Sequence, residues 1–157
     1  MRNVVIFLTG NLILDLAITA WAVAQIMKFF VILVTEHKVD WPMMLASGGM
    51  PSSHSSTVCA CAASVAYLYG FQSPLFAIAA VLAIVVMYDA SHVRRQAGDQ
   101  AKVLNHIMES WPEMKPEQFD RKLKELLGHT PLQVFVGALW GVAIGWGGAY
   151  LFQPMPH

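Results

Sequence analysis

The chain has 157 residues, 56% of them hydrophobic and 13% charged, with a mean hydropathy of +0.50; soluble domains average about 25% charged. The formal charge is zero, so no global basic field points to nucleic acid as a partner. Cys59 and Cys61 lie in one apolar run and point to different faces, giving neither a disulfide framework nor a metal pair. These figures describe one membrane domain, residues 1–157, with its polar chemistry gathered locally.

Four apolar segments follow in order: residues 4–34, 53–70, 74–90 and 131–152. Each approaches or exceeds the roughly 17–25 residues that a spanning helix needs. The expected fold is all-α, an integral membrane bundle of about four transmembrane helices with a cytoplasmic helical loop. Arg2, an apolar stretch and Ala22-Val23-Ala24 loosely mimic a signal peptide, but Asn11 and Asp15 interrupt it and the run continues through Val34. The first helix is therefore expected to stay and to be over-long, with Lys28 on its projecting end and Asp15 buried without a local counterion.

The second segment is rich in small and polar residues from Ser55 to Ser64, the composition of a helix inside a bundle. Residues 70–73 form a short turn before Pro74, so the second and third helices are expected to pair as an antiparallel hairpin. The fourth segment carries Gly137, Gly141 and Gly145 at four-residue spacing, a face suited to tight packing on another helix or to a homo-oligomer.

Between residues 91 and 130 lie seven of the ten Lys and Arg, accompanied by six acids. This mixture reads as an extramembrane segment of solvated helices, broken at Trp111-Pro112 and restarted at Pro116. Val103, Leu104, Ile107 and Met108 share one side of its first helix; Phe119, Leu123 and Leu126 line the second at helical spacing. With four spans, the loops at 35–52 and 91–130 share a side and hold nearly all the positive charge. The positive-inside rule makes that side cytoplasmic and both termini external.

The chemistry converges on the same side. Gly48-Gly49-Met50-Pro51-Ser52-Ser53-His54 delivers a helix start into an apolar segment, where proline suits the first turn and serines cap free backbone donors. Such an N-terminus is an anion site. Lys28, Asp89, Arg94, Arg95 and His129 come from the neighbouring helix ends. Paired guanidiniums, a lysine and helix amides make a phosphate cradle, with Ser52 and Ser53 binding the anion and Asp89 holding an arginine. Two imidazoles supply the rest: one attacks phosphorus, the other protonates the departing oxygen. This chemistry calls for no metal and no cofactor.

These residues resemble the divergent type 2 phosphatidic acid phosphatases, relatives of acid phosphatases and vanadium-dependent haloperoxidases. The likeness covers most of the chain. It rests on Gly48-Gly49-Met50-Pro51-Ser52-Ser53-His54-Ser55, on Met87-Tyr88-Asp89-Ala90 with Val93-Arg94-Arg95-Gln96-Ala97-Gly98, on Val103-Leu104-Asn105, and on Leu127-Gly128-His129-Thr130-Pro131. It implies that His54 is the general acid and His129 the nucleophile, with Lys28 in the lysine motif and Ser52 in the phosphate-binding motif.

Three features depart from the wider superfamily's pattern, the first being Ser53 in place of the glycine of its Pro-Ser-Gly-His motif. Gln133 stands where an acid would orient the nucleophilic histidine, and Arg94 and Arg95 precede His129 by more than thirty residues. The expected function is hydrolysis of a lipid phosphate or polyprenyl pyrophosphate in the bilayer; the alternative is a non-catalytic phospholipid-binding or transport protein retaining the phosphate site. The expected location is a bacterial inner (plasma) membrane, with the site on the cytoplasmic side.

Overall fold

A computed structural model describes residues 8–36, 49–110, 123–125 and 127–153. They form α1 (Leu12–Glu36), α2 (Ser53–Tyr69), α3 (Pro74–Tyr88), a π-helical turn (Asp89–Val93), α4 (Arg94–Ser110) and α5 (Pro131–Phe152). Three helical stretches are long and apolar enough to cross a membrane: Leu12–Thr35, Pro74–Ser110 and Pro131–Phe152. At 17 residues α2 is shorter, and it is the helix against which α1, α3 and α5 all pack.

The small residues of α2 explain its central place. A Cβ added to Gly137, Gly141 or Gly145 of α5 would run into the carbonyl oxygens of Ser52, Ser56 and Ala60 respectively. The glycine face expected to serve tight packing or a homo-oligomer is thus filled by α2 of the same chain, backbone against backbone. Polar side chains on α2 find partners in or across the helix: Thr57 Oγ1 donates to the Ser53 carbonyl, Ser64 Oγ to that of Ala60, and Ser56 Oγ to that of Ala20 on α1 (3.1 Å).

α1 begins at Leu12, several residues later than the apolar run suggests, because Asn11 caps it: Asn11 Oδ1 accepts from Leu14 N–H (3.2 Å). Asp15 therefore sits in the first turn. Its carboxylate accepts from the backbone N–H and the hydroxyl of Thr9 (3.1 and 2.8 Å), which supplies the local partners that the sequence did not indicate. Lys28 does not project. It is 2% exposed, on the buried line of α1 that also carries Ala20 and Ala24.

The expected hairpin forms, with Gly70 at φ +82° ending α2 and Ser73 capping α3. The third helix does not stop at residue 90. It passes through the π turn directly into α4, giving one 37-residue helix. Ser91 Oγ donates to the Met87 carbonyl within that turn (2.9 Å), and the altered register is of the kind often found at functional sites. Of the second loop helix, Phe119 and Leu126 lie outside the described residues, as do Trp111 and Pro116; residues 123–125 are not helical. At the end of the bundle formed by the C-termini of α2 and α5, Tyr67 meets Trp146 and Tyr150, and Phe71 meets Trp146 and Phe76, a cluster suited to a membrane interface.

Candidate functional site

At the opposite end, the start of α2, the π turn and the approach to α5 are tied together by two backbone hydrogen bonds. Ser52 N–H donates to the Gln133 carbonyl (3.1 Å), and His129 N–H to that of Ala90 (2.8 Å). The first turn of α5 closes on itself: Thr130 Oγ1 accepts from Gln133 N–H, while Gln133 Oε1 accepts from Thr130 N–H (3.0 Å). This reciprocal capping box fixes which end of the Gln133 amide is oxygen.

That oxygen orients His129. Nδ1 of the ring lies 3.1 Å from the Gly49 carbonyl and 3.3 Å from Gln133 Oε1. Both are acceptors, so Nδ1 carries the proton and Nε2 the lone pair. Nε2 is buried with no hydrogen-bond partner among the described residues, on a side chain 2% exposed. Burial drives the His129 pKa down to about 4, with Lys28 and His54 adding to the fall and the bonds to Gln133 and Gly49 opposing it. The imidazole is neutral at physiological pH. The neutral amide of Gln133 thus takes the orienting place that sequence pattern reserves for an acid.

His54, half-buried on the first turn of α2, meets His129 edge to face with ring centroids 6.0 Å apart. Lys28 closes the floor. Its stem runs along Gly49, whose φ of +93° and missing Cβ admit it; a side chain there would crowd Lys28 Cγ, Cδ and Cε. The charges of Lys28, Arg94 and Asp89 all act on His54. Arg94 Nε donates to Asp89 Oδ2 (2.6 Å), the expected pairing, which leaves its two terminal NH2 groups available to an anion.

The thirty-residue gap between the arginines and His129 is closed by the chain folding back. Gly128, at φ +84°, lies directly on the backbone of Arg95, and Gly98 lies on the backbone of residues 125 and 127. Asn105, 4% exposed, pins the returning segment: its amide donates to the Leu123 carbonyl (3.0 Å) and to Glu125 Oε1 (2.7 Å), and its oxygen accepts Leu123 N–H (2.9 Å). Arg95 itself is exposed, and its charge acts on Asp99.

The helix N-terminus differs in detail from expectation. Pro51 precedes α2 after a cis peptide bond instead of opening it; Ser52 is the N-cap, and its hydroxyl accepts from Ser55 N–H and Ser55 Oγ. Ser52 N–H is committed to Gln133 and is not a donor for a ligand. The N–H groups of Ser53 and His54 have no acceptor among the described residues and carry the anion-binding capacity of this turn. Sequence reasoning missed the Gly49 carbonyl, the positioning amide of Gln133 and the anchor Asn105. The Thr130-x-x-Gln133 capping signature was the available signal for the second.

The fold is thus that of an all-helical membrane bundle that gathers two facing histidines, a buried lysine and a tethered arginine at one end. Comparison with known sequences places it further. The model of the divergent PAP2 family matches residues 9–144, and the chain belongs to that family. It is also similar to the uncharacterized membrane protein YuiD of Bacillus subtilis (strain 168), 39% identical over 140 residues that cover 83% of this chain and 89% of that protein. No solved structure matches.

Proposed function

We propose that the protein is a phosphatase of membrane lipid phosphates, working through a phosphohistidine. The observation that carries this reading is His129 Nε2: a buried lone pair without a partner among the described residues, its tautomer set from behind by Gly49 and Gln133, beside His54 at 6.0 Å between ring centroids. A nucleophile needs that unengaged, unprotonated nitrogen.

Nε2 attacks phosphorus, forming an N–P bond as the P–O bond to the lipid alcohol breaks, and His54 gives its proton to the departing oxygen. Water then attacks phosphorus, passing a proton to His54, and the N–P bond breaks to release inorganic phosphate and restore His129. Lys28, Arg94 and the N–H groups of Ser53 and His54 offset the charge on the phosphoryl oxygens. The test is phosphate release by purified protein from a panel of lipid phosphates and polyprenyl pyrophosphates, with His129→Ala and His54→Ala as controls. Absence of activity above the variants on every substrate defeats the reading.

One observation favours a second reading, binding without turnover: Gln133 is uncharged and stabilises an imidazolium less than a carboxylate does. A bound lipid phosphate that survives prolonged incubation intact decides for it. The positive-inside rule, applied to the loop charges in the sequence, supports a cytoplasmic site. Cysteines at Ser110 and Gln153, introduced in a background lacking Cys59 and Cys61 and labelled in intact cells with an impermeant reagent, test this; labelling at 110 but not at 153 reverses the orientation.

A further inference from the structure

α2 is covered on every side but one. Ser53, Ser55, Ser56, Cys59, Ala60 and Ala63 are buried, whereas Thr57, Val58, Cys61 and Ala62 are only half-buried, like His54. At 100° per residue these fall in one sector, aligned below His54. α3 flanks the sector where Cys59 Sγ approaches Met87 Sδ (3.7 Å), and α1 packs on α2 from the other direction, where Ser56, behind the sector, bonds to Ala20. α1 and α3 both lean on α2 and, among the described residues, share no packed interface of their own. Between them is a furrow floored by small side chains and flanked by helices whose outer faces carry large apolar ones, Trp21 and Ile26 on α1 and Leu82 and Val85 on α3. It closes at Val65, which is buried.

The furrow starts at the candidate site. Its head is His54, and beside His54 stands the buried Nε2 of His129, without a partner among the described residues. From His54 to Ala62 the rise is about 12 Å at about 1.5 Å per residue. One leaflet is about 15 Å deep, half of a hydrocarbon core of about 30 Å. A chain entering from the bilayer side therefore follows the furrow for most of one leaflet while its head reaches the histidines.

We infer that this furrow seats the apolar chain of the lipid whose phosphate lies at His54 and His129, so that selection between lipid and water-soluble phosphates is made by Thr57, Val58, Cys61 and Ala62. The assignment rests on the phosphate reading of the histidine site, and its test separates the two. Ala62→Phe and Val58→Phe fill the furrow from its open side without touching the α2–α5 contact. Each is assayed on a long-chain lipid phosphate and on p-nitrophenyl phosphate, with a diazirine-bearing long-chain lipid phosphate as a binding probe that requires no turnover.

The expected result is a fall of at least about tenfold in kcat/KM on the lipid, the scale of discrimination set by apolar fit, with the soluble ester hydrolysed as by wild type. Photolabelling of wild type is expected on the peptide carrying Thr57 to Ala62 and lost in Ala62→Phe. Equal loss on both substrates, no loss on either, or label spread evenly over the outer faces of α3 and α5 overturns the furrow. So does oxidative crosslinking of Cys61 between two copies in the membrane, which assigns the furrow to a second chain. A wild type inactive on both substrates yet labelled in the furrow defeats the phosphatase reading alone.

Discussion

Gln133→Glu isolates the orienting partner of His129 from the rest of the site. The substitution changes charge but not reach, and glutamate serves the capping box as well as glutamine does, so the bond to Thr130 N–H persists and α5 starts as before. His129 Nδ1 then faces a carboxylate at the 3.3 Å now separating it from Gln133 Oε1. An opposite charge at such range favours the protonated ring by roughly 1–3 pKa units, which lifts His129 from about 4 into the region of about 5–7. NMR titration of the imidazole in detergent reads this directly, and the acid limb of the pH–rate profile should move up by the same amount. The same shift has a stability counterpart. In the wild type the unfolded chain binds the His129 proton near pH 6.5 and the folded chain only near 4, so the neutral ring's contribution is complete above about 6.5 and is lost as pH falls toward 4. The loss is about 3 kcal/mol, and Gln133→Glu should shrink it. A His129 that still titrates near 4 in the variant refutes the orientation by Gln133.

Gly141→Ala sets a methyl against the Ser56 carbonyl, Cys59 Cβ and Ala60 N, and should destabilise by about 1–3 kcal/mol; Gly147→Ala, with nothing within 4 Å, should instead gain about 0.5–1 kcal/mol. Thermal unfolding in detergent compares the two. Asn105→Ala leaves the Leu123 N–H and carbonyl without their partner, at a cost of about 1–3 kcal/mol, and should lower kcat with KM little changed because the segment it pins leads to His129; Asn105→Asp, which keeps one acceptor but no donor, should restore neither. Ser56→Ala removes the bond to Ala20 on α1 and should cost only about 0.6–1.7 kcal/mol, a small shift in the same melting assay.

Much of the fold is legible because a bilayer enforces it. Backbone groups in lipid must be satisfied within the helix, so the apolar runs mark α1, α3 and α5, and the small residues of α2 and the glycines of α5 mark faces built for close packing, though not that these two meet. What the sequence conceals are changes that leave no mark on composition. Arg94 and Arg95 read as the end of a helix because charges usually mark the water interface; the π turn carries the helix through them by shifting its hydrogen bonds, which alters no residue type. Lys28 was ambiguous for a related reason. A single lysine near a helix end either snorkels or turns inward, and only its register with Ala20 and Ala24, a line of small buried residues on α1, separates the two. The site was half legible on the same logic. His54 stands out among serines at a helix start, but a search for an acid four residues beyond His129 finds glutamine and reads a missing partner. The chemistry requires only an acceptor fixed in space behind Nδ1, and a capping box fixes one whether its last residue is charged or not. The charge on that residue sets the basicity of His129, not its orientation, and so a substitution at position 133 tunes the imidazole's pKa without disturbing the fold that aims it.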